Sequence, residues 1–139
     1  MTSHSSASDR ATGASAWAWG LMVLLPVPLL GPLLAGCGMV ASYGSLSRQG
    51  QLAKENAASA RSWGLIFLVT STALLVVQLG LGLMRMAQPS AAASGFFPQG
   101  IPIVLYVLVC VVHLVVVILA VLRARRGEVV RLSFPRSAR

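Results

Sequence analysis

Acidic residues are almost absent from this chain. Only three of its 139 residues are Asp or Glu, and these three, Asp9, Glu55 and Glu128, lie far apart in the sequence. A carboxylate pair for general acid–base catalysis is therefore lacking unless a partner supplies one. The sequence also contains no Gly-rich phosphate loop, no GxSxG motif and no HExxH motif. We expect that the chain is not an enzyme by itself.

Cysteine is scarce as well. Cys37 and Cys110 form no CxxC pair, and the His, Cys, Asp and Glu residues are not spaced like the ligands of a metal. The sequence thus excludes a disulfide framework and a zinc-finger site. It predicts no metal and no cofactor.

Apolar residues take the place of the missing groups. They make up 56% of the chain, against 10% charged residues, and the formal net charge is +8. A soluble domain of this length cannot bury so much apolar surface. Because the basic residues lie between and after long apolar runs, we expect them to meet the lipid bilayer and not nucleic acid.

Three apolar stretches, at roughly 17–40, 63–84 and 101–122, are each long enough to cross a hydrocarbon core of roughly 30 Å as a helix. Lipid offers the backbone no hydrogen bonds, so these stretches must be helical. The sequence predicts an all-α integral membrane protein with three transmembrane helices. We expect a disordered N-terminal tail at 1–16, the transmembrane domain at 17–122 and a basic cytoplasmic tail at 123–139.

Prolines make the first stretch irregular. Pro26, Pro28 and Pro32 each lack a backbone N–H, and each ring crowds the carbonyl four residues back. This pattern predicts a kinked transmembrane helix. The alternative is a re-entrant hairpin that turns between residues 26 and 32 and has both ends on one side of the membrane.

Small residues follow one face of the same stretch. Gly31, Ala35 and Gly38 recur at about one-turn intervals, a spacing that lets another helix approach closely. The segment LLAGC, which ends at Cys37, also looks like a lipoprotein cleavage site. Cleavage there would leave the arginine-rich C-terminal tail outside the cell, so we interpret the segment as a packed turn of the first span.

The basic residues are distributed unevenly around the predicted spans. If the chain crosses the membrane three times, two basic residues lie on one side of it. The other nine basic residues lie on the opposite side, in the first loop and the C-terminal tail. The positive-inside rule therefore predicts a multi-pass protein of the bacterial cytoplasmic (inner) membrane with a cytoplasmic C-terminus. Four arginines after the third span either bind anionic lipid headgroups or only fix the topology, namely Arg123, Arg125, Arg126 and Arg131.

Polar side chains inside the spans are candidates for function, because burying them in lipid is costly. Tyr106, Cys110 and His113 share one face of the third span, which we expect to pack against the other helices. His113 is either a proton carrier or ligand, since imidazole changes charge near neutral pH, or a neutral histidine bonded to a neighbour. We favour the packing role, for which the second span offers Thr70, Ser71, Thr72 and Gln78.

Three short segments suggest a family. They are LLGPLLAG (Leu29 to Gly36), ENAASARSW (Glu55 to Trp63) and RARRGEVVRLSFP (Arg123 to Pro135). In these segments the chain resembles a small bacterial membrane family of unknown function that is related to the Tic-twenty-like membrane proteins. The resemblance covers roughly residues 17–135. It implies a multi-span helical fold and membrane residence, and it brings no catalytic residues with it.

The preferred functional hypothesis is an accessory or assembly subunit that packs with itself or with a larger membrane protein. The alternative is a small transporter or channel with a polar path past His113, Gln78 and Thr72. A third hypothesis, taken from the resemblance alone, is a component of protein translocation.

Overall fold

The computed structural model describes residues 11–26, 30–87 and 100–131, and every regular element in these residues is helical. The predicted all-α class is therefore confirmed. A short helix α1 (Ala14–Ala18) continues directly into a 3-10 helix (Trp19–Leu24). Helix α2 (Leu30–Ala41) is followed by the single turn α3 (Tyr43–Leu46). Two long helices, α4 (Gln51–Ala87) and α5 (Gly100–Arg125), complete the order.

The predicted tails fall largely outside the described residues, which leave out 1–10 and 132–139. At their inner ends, the predicted tails include parts of helices. Ala14 to Ala16 belong to α1, and Arg123 to Arg125 belong to α5.

Helices α4 and α5 are long and apolar enough to cross a membrane. At about 1.5 Å per residue, the 37 residues of α4 extend about 55 Å, well beyond a hydrocarbon core of roughly 30 Å. Only 17% of the most apolar window of each helix is buried inside the protein. The core helix of a soluble protein is mostly buried, so these exposed apolar surfaces indicate contact with lipid.

The first apolar stretch does not form a single helix. After the 3-10 helix, Leu25 takes an extended conformation (φ −61°, ψ 129°), which the ring of the following Pro26 favours. Helix α2 then begins at Leu30. Pro32 lies in the first turn of α2, where a backbone N–H has no intrahelical acceptor and its loss costs little. The break before Pro26 therefore separates two helices and does not kink one, whereas Pro28 lies outside the described residues.

The 3-10 helix and α2 fold back on each other as a helical hairpin. A Cβ at Gly31 would lie 3.0 Å from a backbone oxygen of the 3-10 helix, and a Cβ at Gly38 would lie 2.7 Å from the Trp19 ring. These contacts require the two segments to run side by side. The predicted kinked span is thus not what forms, and the count of three spans is not confirmed. The side-by-side arrangement fits the hairpin alternative, with α1 and the 3-10 helix as one arm and α2 as the other.

Both ends of the hairpin lie at the N-terminal end of α4. Gly13, just before α1, approaches Ala53 so closely that a Cβ there would lie 2.9 Å from the Ala53 oxygen. Beyond the other end, Tyr43 of α3 packs against Arg61 of α4. The guanidinium carbon of Arg61 lies 5.2 Å from the centroid of the Tyr43 ring. The chain therefore enters and leaves the hairpin at the same end of the bundle.

Small residues let the hairpin lie close to α4. Ala57, Ala60 and Gly64 of α4 recur every three or four residues and are all buried. A Cβ at Gly64 would lie 2.8 Å from the Met39 Cβ, closer than real carbon atoms approach. The core that results is shared by the hairpin, α4 and α5, and its buried members include Trp17, Met39, Val117, Ala120 and Ala124.

A glycine ends α5 and turns the chain back toward this core. Gly127 has φ +77°, a left-handed conformation that glycine adopts at little energetic cost because it has no Cβ. Its N–H donates to the Ala124 oxygen at 3.0 Å, and the N–H of Glu128 donates to the Arg123 oxygen at 3.2 Å, as is typical of a glycine-terminated helix. Three residues later Val130 is packed in the core and only 4% exposed.

Candidate functional site

A buried asparagine holds three separate parts of the chain together. Asn56 on α4 is completely buried. Its Nδ2 donates to the Thr12 oxygen at 2.7 Å and to the Glu128 oxygen at 3.2 Å, and its Oδ1 accepts the N–H of Val130 at 2.7 Å. The carboxamide thus uses both of its N–H donors and its oxygen. We call this arrangement the Asn56 centre.

A buried histidine forms a second polar centre between the hairpin, α4 and α5. His113 is completely buried, its Nδ1 lies 3.1 Å from the Trp63 indole nitrogen, and its Nε2 lies 3.1 Å from the Gly20 oxygen. The indole N–H can only donate and the carbonyl can only accept, so Nδ1 is the acceptor and Nε2 carries the proton. This pattern fits a neutral imidazole, because a second proton on Nδ1 would face the indole N–H.

Aromatic rings enclose the same histidine. The Phe67 ring lies 3.6 Å from the imidazole between centroids, and the Trp63 ring lies 6.3 Å away, both nearly parallel to it. The imidazole is therefore shielded on its face by Phe67 while both of its nitrogens are bonded. We call this arrangement the His113 centre.

The partners that the sequence suggested for His113 are not the ones it uses. Trp63 and Gly20 take the place of Thr70, Ser71, Thr72 and Gln78. The buried Ser71 hydroxyl donates instead to a carbonyl of its own helix, Leu68 O, at 3.2 Å. The reason is the register of the two helices, which brings the middle of α5 beside the start of the apolar stretch of α4. Thr70, Ser71 and Thr72 lie nearer the centre of the apolar stretch of α4 and are therefore not beside His113.

The other predicted packing residues are divided among different places. Gly31 and Gly38 lie inside the hairpin, against the 3-10 helix, and Ala35 is buried on α2. The predicted small-residue face therefore packs within the chain. Tyr106 and Cys110 lie half-buried on α5, one to two turns from His113.

The predicted lipid-binding arginines are exposed at one end of the bundle. Arg123, Arg125, Arg126 and Arg131 all lie at or just after the end of α5. Three further exposed basic residues follow α3 or belong to the first three turns of α4, so they share this end. They are Arg48, Lys54 and Arg61. The arrangement creates a positively charged end, which we call the basic end.

Metal-binding groups are sparse in the described residues. Within residues 11–26, 30–87 and 100–131, no three His, Cys, Asp or Glu side chains come together in a group that could hold a metal ion. The free cysteines Cys37 and Cys110 lie on different helices.

Two apolar grooves open on the surface of α4. One, of about 250 Å³, lies between α4 and α5, where Trp63, Phe67 and Leu108 contribute to its walls. The other, of about 530 Å³, follows the C-terminal part of α4 and is lined by Leu75, Gln78, Leu79, Gly82, Leu83 and Met86. Neither groove is lined by His113, so neither forms the polar path past His113 and Gln78 that a channel would need.

Comparison with known protein families gives a match over nearly the whole chain. Residues 8–137 match the family model MamF_MmsF, described as the magnetosome magnetite crystal formation protein family. No curated protein and no solved structure matches the chain. The resemblance to a Tic-twenty-like family is therefore wrong. The three segments that carried it are apolar, small or arginine-rich, and a bilayer imposes such residues on unrelated membrane proteins.

Proposed function

Since the chain belongs to the magnetosome magnetite crystal formation protein family, we propose that it is a small helical subunit of the magnetosome membrane that assists the formation of magnetite crystals. The family match carries this proposal, because it covers nearly the whole chain. The exposed apolar surfaces of α4 and α5 support the membrane location.

We propose further that the protein acts by packing in the membrane and neither catalyses a reaction nor coordinates iron itself. Iron sites in proteins commonly use imidazole and carboxylate ligands. Of the two histidines in the chain, His113 has both nitrogens engaged inside the bundle, and the chain has only three Asp and Glu side chains. Asn56, the other buried polar group with several partners, is likewise used to hold segments of the chain together. The chain itself and a larger membrane protein are the candidate packing partners.

The proposed orientation places the basic end on the cytoplasmic face. Seven of the eight basic residues in the described part of the chain lie at that end, and Arg85, near the end of α4, is the eighth. The hairpin returns the chain to the end from which it entered, so the segments before and after the hairpin both lie at the basic end. The positive-inside rule then favours a cytoplasmic basic end, with its arginines near anionic lipid headgroups.

Orientation can be tested with single cysteines placed at Arg126 and at Arg85 in a chain whose own two cysteines are replaced by serine. In a host without magnetosomes, where the chain inserts into the cytoplasmic membrane, a membrane-impermeant maleimide added to intact spheroplasts should label the Arg85→Cys chain and leave the Arg126→Cys chain unlabelled until the membrane is opened. The opposite labelling pattern would contradict the proposed orientation.

The function itself is tested by complementation. In a magnetite-forming bacterium that lacks its own member of this family, expression of the full chain should restore crystal size and number, measured by electron microscopy. A triple variant, Asp9→Asn, Glu55→Gln and Glu128→Gln, should restore them equally well, because the proposal gives the carboxylates no part. Failure of the unaltered chain would contradict the role in crystal formation. Failure of the triple variant alone, at a normal level in the membrane, would contradict the non-catalytic, non-coordinating role.

A further inference from the structure

The groove on the C-terminal part of α4 belongs to one continuous side of that helix. Leu75, Gln78, Gly82 and Met86 are spaced by three or four residues and therefore lie along one side. Nearer the N-terminus, the same side carries the buried Gly64 and Ser71 and packs against the rest of the bundle. Over the last three turns it is open and lined almost entirely by apolar side chains.

One polar atom on this side has no partner. Among the described residues, Gln78 Oε1 is shielded from solvent and accepts no hydrogen bond. The flanking residues Val76, Val77 and Leu79 are at least half exposed and apolar, as expected of a helix in lipid. A bilayer supplies no hydrogen-bond donor, so an unpaired carboxamide oxygen at this position is destabilising.

We propose that this side of α4 binds the same side of α4 in a second copy of the chain, with the two Gln78 side chains hydrogen-bonded to each other. The proposal rests on the part of the proposed function that places α4 in a membrane. It adds the surface through which two copies meet.

Symmetry favours a second copy as the occupant. Two copies inserted in the same direction hold Gln78 at the same depth, so a two-fold axis along the membrane normal places the two side chains opposite each other. A carboxamide has both an N–H donor and a carbonyl acceptor, so two of them can form a reciprocal pair. The terminal torsion of Gln rotates easily, which lets this half-buried side chain present its oxygen in the groove.

The groove also has the shape that close packing needs. Gly82 lies one turn beyond Gln78 and has no side chain, so a second helix can approach α4 there. The volume of about 530 Å³ leaves room for leucine and methionine side chains of the partner copy. The apolar flanks and the single polar pair together resemble the usual arrangement of interacting membrane helices.

Disulfide crosslinking in lipid vesicles tests the position of the contact. In a background of Cys37→Ser and Cys110→Ser, the full chain carries one new cysteine, and an oxidant is added to vesicles of phosphatidylethanolamine and phosphatidylglycerol. Leu75→Cys and Met86→Cys lie in the groove and should give covalent dimers. Val77→Cys and Met84→Cys lie on the opposite side of α4 and should not. Equal crosslinking on the two sides would overturn the proposal.

Energy transfer between labelled copies, measured as the chain is diluted in lipid, tests the hydrogen bond. Gln78→Leu should weaken the dimer about sevenfold, since two reciprocal interhelical bonds of average strength are lost, and Gln78→Asn should weaken it less. Thr70→Val, which removes an exposed hydroxyl from another side of α4, should leave association unchanged. A Gln78→Leu chain that associates as well as the unaltered chain would refute the proposal.

Crystal formation is scored separately in the complementation assay. If Gln78→Leu weakens the dimer but restores crystals fully, the contact exists and crystal formation does not depend on it. If the unaltered chain dimerises through this surface but restores no crystals, the proposed function fails and the contact stands.

Discussion

Replacing Asn56 with alanine should release both ends of the described chain from α4. The substitution removes one acceptor and two donors, and the three groups they serve differ in exposure. Glu128 is exposed and Thr12 is half-exposed, so water can replace the lost bonds to their carbonyl oxygens at small cost. Val130 is only 4% exposed, so its N–H would be left without a partner in the core.

The magnitude follows from these exposures. An unsatisfied buried N–H costs about 1–3 kcal/mol, and each replaced bond contributes about 0.5–1.5 kcal/mol. We therefore expect docking of the C-terminal segment to weaken by about 3 kcal/mol, which is roughly a hundredfold in the open fraction. The effect should be local, because the hydrogen bonds of Asn56 go to Thr12, Glu128 and Val130, which lie outside α2 and α5.

Hydrogen–deuterium exchange of the peptide that contains Val130 measures this opening directly. In detergent-solubilised Asn56→Ala, its exchange should accelerate about a hundredfold while exchange in the middle of α4 stays unchanged. Ser62→Ala is the matched control, since that hydroxyl is exposed and bonds only to Ala58 of its own helix. Exchange within twofold of the unaltered chain would refute the assignment of Asn56 as the link to the C-terminal segment.

Two further predictions concern the packing of the bundle. Trp63→Phe keeps a ring beside His113 but removes the indole N–H that donates to His113 Nδ1, so it should lower stability in detergent by about 1–2 kcal/mol. An unchanged melting temperature would contradict this hydrogen bond. Gly64→Ala places a Cβ 2.8 Å from the Met39 Cβ and should destabilise the folded protein by about 1–3 kcal/mol. At Gly80 a Cβ would meet nothing within 4 Å, so Gly80→Ala should be neutral or stabilise the protein by up to about 1 kcal/mol. Equal melting temperatures for these two variants would contradict the close approach of α2 and α4.

Composition alone is sufficient to predict the helical class and the two membrane-length helices of the described residues. The stretches at 63–84 and 101–122 are mostly apolar and contain no charged residue, and a bilayer leaves such stretches only the helix. Proline chemistry also located the disturbance near Pro26. It could not decide between a kink and a reversal, because that choice depends on how closely the 3-10 helix can lie on α2 at Gly31 and Gly38.

The Asn56 and His113 centres are harder to predict, because they too depend on how segments distant in the sequence pack together. In the sequence, Asn56 looks like any solvated residue at the start of a helix, and it is buried only because segments 44 and 72 residues away fold over it. The sequence predicts that His113 packs against the other helices, but its partners depend on the register between α4 and α5. No local pattern in either helix encodes that register.

That register has a consequence for how the molecule sits in a bilayer. His113, near the middle of the apolar stretch of α5, lies beside Trp63 and Phe67, where the apolar stretch of α4 begins. The two hydrophobic belts are therefore staggered, with exposed Leu122 at one extreme and exposed Met84 at the other. An upright bundle would leave part of one belt in water. Tilting of the helices, or thinning of the surrounding lipid, brings both belts under hydrocarbon, so the protein is expected to lean in the membrane or deform it locally.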